Sequence, residues 1–249
     1  MTEQAFRIAG LIPTYDNPGT IGAVVDAVRA HLPDVLVVDD GSGLEGRRAC
    51  EALAASRRAQ VVHRPENGGK GAAVKTGLEA LAQRGYTHAF QIDADGQHAI
   101  GDIPRFVAAA RAHPEALVLG QPEFDASAPR ARLIGRQVTR FWTHFETLGP
   151  VIADPMCGFR VYPIAAALHA GARGNAMDFD PEIAVRIAWR GTPVLNLTTS
   201  VRYIARAEGG VSHFRLVRDN LLISWMHTRM VFALFVRLLV RPWPKRISA

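Results

Sequence analysis

Short apolar runs alternate with segments of helical periodicity along the first half of the chain. The apolar runs have the length and the β-branched content of buried strands, and glycine, proline or aspartate follows closely after each. The predicted strands cover residues 6–13, 35–38, 60–63, 89–92 and 117–120. This alternation predicts parallel βαβ units, with right-handed crossovers and helices on both faces of one sheet.

The second half of the chain has a less regular pattern. Helical spacing predicts helices at 131–148 and 181–189, and residues 154–162 are predicted to form a loop that enters a strand. A long helical segment begins near Val211. Because the sequence contains neither an internal repeat nor a clear linker, we predict one α/β domain over residues 1–210 and an amphipathic helical appendage over residues 211–249.

The composition fits a globular protein rather than a disordered chain. The 249 residues are 48% hydrophobic and 21% charged, and the two cysteines, Cys50 and Cys157, cannot form a disulfide framework. A reducing compartment is therefore expected, and the N-terminus lacks the pattern of a signal peptide. We expect a cytoplasmic protein, with a peripheral position at the inner face of the membrane as an option.

The net charge of +6 arises mainly from arginine, a residue suited to bidentate phosphate contacts. Such an excess indicates nucleic acid, an anionic membrane or a phosphorylated small molecule as a partner. Nucleic acid is disfavoured because no stripe of basic residues interleaved with stacking aromatics runs through the N-terminal half, where the motifs lie.

Acidic residues directly follow the predicted strand at 89–92. Asp93 and Asp95 are separated by one residue, so in an extended segment both carboxylates point to the same side. Together with diphosphate oxygens they supply most of the oxygen shell that Mg²⁺ or Mn²⁺ requires. An isolated Asp-x-Asp is more often a solvated turn, but the position at the end of a buried strand, next to Gln97 and His98, favours a metal site.

A second acidic pair, Asp39 and Asp40, ends the predicted strand at 35–38. A carboxylate there can accept hydrogen bonds from a ribose or a base edge, or it can form an Asx turn with the glycine that follows. The glycine-rich segment 64–71 opens a helix, but Gly71 stands where a P-loop requires Ser or Thr after Lys70. We therefore predict a tight turn close to a nucleotide.

A third polar segment, 154–160, returns the chain to the sheet. Asp154 could face an acceptor, and Arg160 could hold a phosphate bidentately, with a structural ion pair as the alternative interpretation. Arg136 and Arg202 lie in a helical region and in a later loop. They could extend a phosphate-binding surface or merely solvate the protein surface.

Several of these segments are motifs that occur together in one order. They are Ile12-Pro13-Thr14-Tyr15, Val37-Val38-Asp39-Asp40-Gly41-Ser42, Asn67-Gly68-Gly69-Lys70-Gly71, Asp93-Ala94-Asp95-Gly96-Gln97-His98 and Cys157-Gly158-Phe159-Arg160. Over about residues 6–205 the chain resembles the family 2 glycosyltransferases of GT-A fold, and within them the polyprenyl-phosphate (dolichyl-phosphate) mannosyl- and glucosyltransferases. The resemblance implies a Rossmann-like, mostly parallel sheet flanked by helices.

The resemblance, combined with the residue chemistry above, assigns four groups of candidate residues. The nucleotide-sugar group is Pro13, Tyr15, Asp39, Asp40, Lys70 and Asp93. The ligands for Mg²⁺ or Mn²⁺ are Asp93, Asp95 and Gln97. The candidate catalytic carboxylates are Asp154, Asp180 and Glu182. The candidate acceptor-phosphate group is Arg136, Arg160 and Arg202.

Two features depart from relatives of this type. The first is Tyr15-Asp16-Asn17, which stands where relatives usually carry Tyr-Asn-Glu. The second is the C-terminal region, where no 18-residue uncharged stretch occurs, so a spanning helix is not expected there. The segment 221–240 is instead predicted as an amphipathic helix with arginine on its polar face. Such a helix fits an anchor at a membrane surface or a helix packed on the domain or a dimer partner.

The candidate residues and the resemblance together predict a metal-dependent transfer of a hexose from a GDP- or UDP-hexose to an acceptor, with a polyprenyl phosphate preferred. Inversion at the anomeric carbon is what the family 2 resemblance implies. The alternative is a family 2 transferase that acts on a hydroxyl group of a lipid or glycan. A sugar-phosphate nucleotidyltransferase is disfavoured, because a glycine-rich loop with arginine does not follow the first strand. A non-catalytic, membrane-recruited binding module is disfavoured by the intact Asp93 and Asp95.

Overall fold

The computed structural model describes residues 5–124, 130–202 and 215–240. The strands in these ranges are β1 (Ile8–Thr14), β2 (Val35–Asp39), β3 (Gln60–His63), β4 (His88–Gln91), β5 (Leu117–Phe124), β6 (Arg160–Pro163) and β7 (Val194–Val201). The helices are α1 (Ile21–Arg29), α2 (Leu44–Ala55), α3 (Lys70–Gln83), α4 (Ile103–Ala112), α5 (Arg130–Glu146), α6 (Ile164–Ala170), α7 (Phe179–Trp189) and α8 (Leu216–Val240). A short 3₁₀ turn, Ile100–Asp102, precedes α4.

The strands form one mixed sheet in the order β3-β2-β1-β4-β6-β5-β7. Strands β1 to β4 pair in parallel, and β7 pairs in parallel with β5. Strand β6 runs antiparallel to both of its neighbours, β4 and β5. The predicted mostly parallel sheet with flanking helices is therefore confirmed, with one reversed strand that the apolar runs did not indicate.

Apolar side chains cover both faces of the sheet. Residues of α1, α2 and α4 form the core on one face, and residues of α3, α6 and α7 form the core on the other. Because β1 and β2 are buried on both faces, they carry the continuous apolar runs seen in the sequence. Polar groups are consequently concentrated at the carboxyl ends of these strands, outside the sheet.

Two elements, α6 and β7, were not predicted from the sequence. Strand β7 contains Asn196, Thr198 and Ser200, and its side chains are only partly buried along the first half, so it lacks an apolar run. Strand β5 continues to Phe124, beyond the predicted end at residue 120, because it pairs with β7 over its full length. The predicted domain boundary at residue 210 lies outside the described residues.

The C-terminal helix α8 packs against α5 and α7. Ile223, Met226, Met230 and Leu234 are buried in the core that also contains α7. By length and composition alone, the segment Val217–Val240 could cross a membrane, since its mean hydropathy is 1.4. Only 28% of the apolar stretch in this segment is buried against the protein. This differs from the sequence expectation, which required an uncharged stretch.

Candidate active site

A cavity of about 920 Å³ opens at the carboxyl ends of β1, β2 and β4. This is the edge at which ligands bind in open α/β sheets. Its lining includes Tyr15, Asp40, Lys70, Asp95 and Asp180, all of which are candidates from the sequence. Residues of α5 and of the first turns of α8 complete the wall on the far side.

Lys70 links two acidic residues at the floor of the cavity. Its ammonium lies 2.7 Å from Oδ1 of Asp93 and 2.8 Å from Oδ2 of Asp180. Burial alone would raise the pKa of Asp93, but the charges of Lys70 and His98 lower it overall. Asp93 is therefore held as a carboxylate, and Lys70 supplies the positive charge beside it.

Asp95 lies next to Asp93 and lines the same cavity. Burial and the negative charge of Asp93 raise the pKa of Asp95. A further cation beside the two carboxylates would therefore stabilise the ionised form of Asp95. His98 adds a buried Nδ1 without a hydrogen-bond partner, and Gln97 also lines the cavity. Among the residues that the structure describes, no group of three or more His, Cys, Asp and Glu side chains could hold a metal alone. A divalent cation held by Asp93 and Asp95 needs further oxygen atoms, from a bound ligand or from water, to complete its shell.

Gly158 allows the loop before β6 to lie close to the carboxylate of Asp93. A Cβ at Gly158 would collide with the carboxylate of Asp93, so any larger residue would displace either the loop or the side chain of Asp93. The neighbouring Cys157 is buried, and burial raises the pKa of its thiol to about 12. The Cys157–Gly158 pair thus shapes the floor and offers no thiolate for chemistry.

The other end of the cavity contains the candidates for nucleoside binding. Pro13, Tyr15 and Asp40 line it, but the oxygens of Asp40 already accept hydrogen bonds from the Gly68 and Gly69 amides at 3.1 and 2.7 Å. Burial raises the pKa of Asp40 despite these bonds. Asp40 therefore orders the turn before α3, where Gly69 has a φ of 96°.

Asp39 has a different environment from its neighbour. It is buried, with its oxygens 3.0 Å from the Ser42 amide nitrogen and 2.7 Å from Nδ1 of His63. Burial raises the pKa of Asp39, but the hydrogen bonds from Ser42 and His63 lower it overall. The structure thus gives Asp39 internal partners at the end of β2.

Arg160 is fully buried, and this placement contradicts its predicted contact with an acceptor phosphate. Its Nε donates to the Cys157 carbonyl at 2.8 Å, and its other nitrogens donate to the carbonyls of Pro155 and Asp180, each at 3.1 Å. A guanidinium with its donors turned to internal carbonyls cannot also hold a ligand. Arg160 instead ties the 155–157 loop to the start of α7.

Only one of the three candidate catalytic carboxylates, Asp180, is found in the cavity wall. Glu182 is fully buried and accepts hydrogen bonds from the Gly174 amide at 2.6 Å and from Arg186 Nε at 2.7 Å. Asp154 binds Arg136 through both oxygens at 2.7 Å and lines a smaller cavity of about 130 Å³. The positions of Glu182 and Asp154 indicate structural roles, contrary to the prediction.

Arginines gather where α5 and α8 close the cavity. Arg136, a candidate from the sequence, lines it together with Arg132, Arg215 and Arg218. Arg202 is exposed, and its backbone amide donates to the Gln97 carbonyl at 3.1 Å. Sequence reasoning missed Arg215 and Arg218, because only the packing of α8 brings its first turn to this wall.

Comparisons with known proteins show which family the chain resembles. The profile of the family described as Glycosyl transferase family 2 matches residues 11–167. Polyprenol monophosphomannose synthase of Mycolicibacterium smegmatis is 34% identical over 63% of this chain and 61% of its own length. Undecaprenyl-phosphate mannosyltransferase of Micrococcus luteus is 31% identical over 63% of this chain and 66% of its own length. The matched region thus spans less than two thirds of either relative.

Solved structures support the fold at lower sequence identity. Glucosyl-3-phosphoglycerate synthase from Mycobacterium tuberculosis, in complex with Mn²⁺ and UDP-glucose, superimposes with a TM-score of 0.65 at 16% identity. The superposition covers 94% of this chain and 79% of that chain. The same synthase with Mn²⁺, UDP and phosphoglyceric acid gives a TM-score of 0.68. These likenesses confirm the predicted GT-A architecture.

Proposed function

Because this chain belongs to the family 2 glycosyltransferases, we propose that it transfers a hexose from a nucleoside diphosphate sugar to a polyprenyl phosphate, with inversion at the anomeric carbon. The donor is a GDP- or UDP-hexose. The protein acts at the cytoplasmic face of a membrane, where a lipid acceptor is within reach.

The observation that carries this proposal is the distribution of charge along one cavity. Asp93 and Asp95 lie at one wall, whereas Arg132, Arg215 and Arg218 lie at the wall formed by α5 and α8. A metal-bound diphosphate suits the acidic wall, and an anionic acceptor suits the basic wall. A cavity with both walls can hold two phosphorylated substrates with the sugar between them.

Mg²⁺ or Mn²⁺ would be held by Asp93 and Asp95, with Gln97 beside them and with diphosphate oxygens completing the shell. When bound, the cation supplies Lewis-acid stabilisation of the leaving diphosphate. The Lys70 ammonium lies 2.7 Å from Asp93 and can also form an ion pair with diphosphate oxygens. Pro13 and Tyr15 confine the nucleoside at the end of β1.

A phosphate acceptor requires no general base. The second pKa of a phosphate monoester is near ~6, so the nucleophilic oxygen is already largely ionised at neutral pH. The residues needed are cations that position the phosphate, and Arg132 and Arg136 of α5 are placed for this. The names of the M. smegmatis and M. luteus relatives support a polyprenyl-type acceptor.

A hydroxyl-directed transfer is the second candidate, and one observation favours it. Asp180 lines the cavity, and its buried Oδ1 lacks a hydrogen-bond partner. A carboxylate so placed could accept the proton of an acceptor hydroxyl. Its other oxygen is paired with Lys70 at 2.8 Å, which lowers its availability as a base.

A donor screen tests the proposal. Release of nucleoside diphosphate from GDP- and UDP-hexoses is measured with Mg²⁺ or Mn²⁺, in the presence and absence of a short polyprenyl phosphate. We expect one donor to be consumed at a rate that depends on both the metal and the lipid phosphate. Donor consumption that the lipid phosphate leaves unchanged would contradict the proposed acceptor.

A further inference from the structure

Helix α5 is amphipathic, but its apolar side faces away from the protein. Large apolar side chains at helical spacing are exposed to solvent along it, with Phe141 63% exposed: Ile134, Val138, Phe141, Trp142 and Phe145. Arg132 and Arg136 lie on the opposite side and face the cavity. This orientation is the reverse of that of a surface helix in water, which buries its apolar stripe.

Helix α8 also exposes large apolar side chains, in addition to the apolar residues that it buries against the protein. From Leu221 to Val240 its exposed side chains carry no charge, and most are large and apolar: Leu221, Trp225, Phe232, Phe235, Val236 and Leu239. Of the two exposed polar residues, Ser224 and Thr228, the latter donates its hydroxyl to the Ser224 carbonyl at 3.0 Å. The outward side of α8 is therefore apolar over its last five turns.

The ionisable residues of this part of α8 turn towards the protein. His227 Nδ1 lies 2.7 Å from Oε1 of Glu146, and the Arg229 guanidinium lies 3.8 Å from Glu182. Arg237 donates to the carbonyl of Trp189. These contacts show which side of the helix faces outward. They place Arg229 and Arg237 against the protein, so the two arginines do not form a polar face turned to solvent.

We propose that the outward sides of α5 and α8 together form one membrane-docking surface, the α5–α8 face, that lies on a lipid bilayer. The helices pack on each other, and the rings of Trp142 and His227 lie 6.4 Å apart across their junction. The exposed apolar residues of the two helices are thus neighbours. Apolar area of this extent is unusual on a monomer in water and marks an interaction site.

A bilayer fits the α5–α8 face better than a second copy of the chain does. The same two helices line the catalytic cavity with their inner sides, so a bilayer on the outer sides brings a lipid acceptor to the cavity wall. Trp142 and Trp225 suit the membrane interface, and the exposed Arg215 and Arg218 at the start of α8 suit anionic headgroups. The helices would lie in the plane of the interface, and α8 would not cross the membrane.

The link to a lipid acceptor rests on the proposed function, whereas the exposed apolar residues and the tryptophans and arginines of the α5–α8 face do not depend on it. The test uses the full chain and flotation with phosphatidylcholine vesicles that contain phosphatidylglycerol. One variant, Phe141→Ser with Phe145→Ser, changes α5, and another, Phe232→Ser with Leu239→Ser, changes α8. The matched control, Leu44→Ser with Leu168→Ser, changes exposed apolar residues elsewhere.

We expect each double variant of the α5–α8 face to lower the vesicle partition coefficient about tenfold, with unchanged melting temperature, because two large apolar side chains are lost from the interface. The control should bind as the unchanged chain does. Loss of binding in the α8 variant alone would overturn the two-helix surface. A dimer in solution that fails to bind vesicles, and that the α5 variant converts to a monomer, would assign the face to a second copy.

Two further measurements separate the remaining outcomes. Alkaline carbonate should release the full chain from cell membranes, and its retention would indicate a spanning α8 and overturn the proposal. Transfer to a short, water-soluble polyprenyl phosphate without vesicles should be equal in the unchanged chain and both double variants. If the unchanged chain binds vesicles through both helices but uses no polyprenyl phosphate, the docking surface stands and the proposed function fails.

Discussion

The ammonium of Lys70 lies 2.8 Å from a carboxylate oxygen of Asp180, and this contact joins the first residue of α3 to the first turn of α7. The same ammonium lies 2.7 Å from Asp93, at the end of β4. A single buried cation thus connects the wall assigned to the metal with the carboxylate of Asp180 in α7. Its removal should expose the repulsion between these acidic residues.

Replacing Lys70 by Met tests this relationship without requiring turnover. We expect the protein without metal to melt at a lower temperature, since Asp93 and Asp180 lose their shared counter-charge. Mn²⁺ should then raise the melting temperature more in Lys70→Met than in the unchanged chain, because it supplies the missing charge. Lys75→Met, on the next turn of α3, is the matched control. An equal or smaller shift with Mn²⁺ would remove Lys70 from the metal wall.

Asp95→Asn should abolish metal-dependent turnover while the fold remains intact. Loss of one anionic ligand weakens a site that has few protein ligands. The measurement pairs the rate of nucleoside diphosphate release with the stabilisation by Mn²⁺ plus nucleoside diphosphate. Asp34→Asn, an exposed aspartate just before β2 at the opposite end of the sheet, should leave both unchanged. Full activity in Asp95→Asn would exclude Asp95 from the metal shell.

Arg160 and Arg132 should respond in opposite ways to substitution. Arg160→Met is expected to lower the free energy of unfolding by about 3–5 kcal/mol, because the guanidinium lies 3.7 Å from the buried carboxylate of Asp180 and donates to three buried carbonyls. Arg132→Ala should leave the melting temperature unchanged and raise the KM for the polyprenyl phosphate at saturating donor. Thermal unfolding and acceptor titrations distinguish them. A stable Arg160→Met protein with a selectively raised acceptor KM would restore Arg160 to the acceptor site.

The difference between Arg160 and Arg132 shows which features of the site could be predicted from the sequence. Strand ends and their polar residues could be predicted, because strand patterns are local and parallel strands end at one edge of the sheet. The burial of Arg160 could not be predicted, because it depends on the carbonyls of the Pro155–Cys157 loop and of Asp180. A motif identifies a residue type at a spacing, whereas its partners come from the packing of distant segments.

The orientation of α8 is a similar case. Its helical wheel separates polar from apolar residues, but the side that faces the protein depends on Glu146 of α5 and Glu182 of α7. Those carboxylates are far from α8 in sequence. The wheel alone therefore could not show that Met230 and Leu234 pack on the protein while Phe232, Phe235 and Leu239 remain exposed.

The buried pair of His227 and Glu146 should contribute to holding α8 in this orientation. We expect Glu146→Leu and His227→Leu each to destabilise the protein, since either change leaves the other polar group buried without its partner. The double variant should lose less than the sum, with a coupling energy of about 1–3 kcal/mol. Denaturant unfolding of the four proteins measures this. Additive losses would mean that the pair does not couple α5 to α8.

The most direct test of the proposed chemistry compares two acceptors that differ in one group. The protein is given its preferred donor, a divalent metal, and either a short polyprenyl phosphate or the matching polyprenol, and the glycosylated product is quantified by mass spectrometry. A phosphate acceptor is already ionised and meets the arginines of α5 and α8, whereas the alcohol needs a base and offers no charge. We predict that product forms with the phosphate and not with the alcohol, and that Asp180→Asn retains this phosphate-dependent transfer. The account would be contradicted if product forms from the polyprenol and not from the phosphate, and if Asp180→Asn abolishes that transfer.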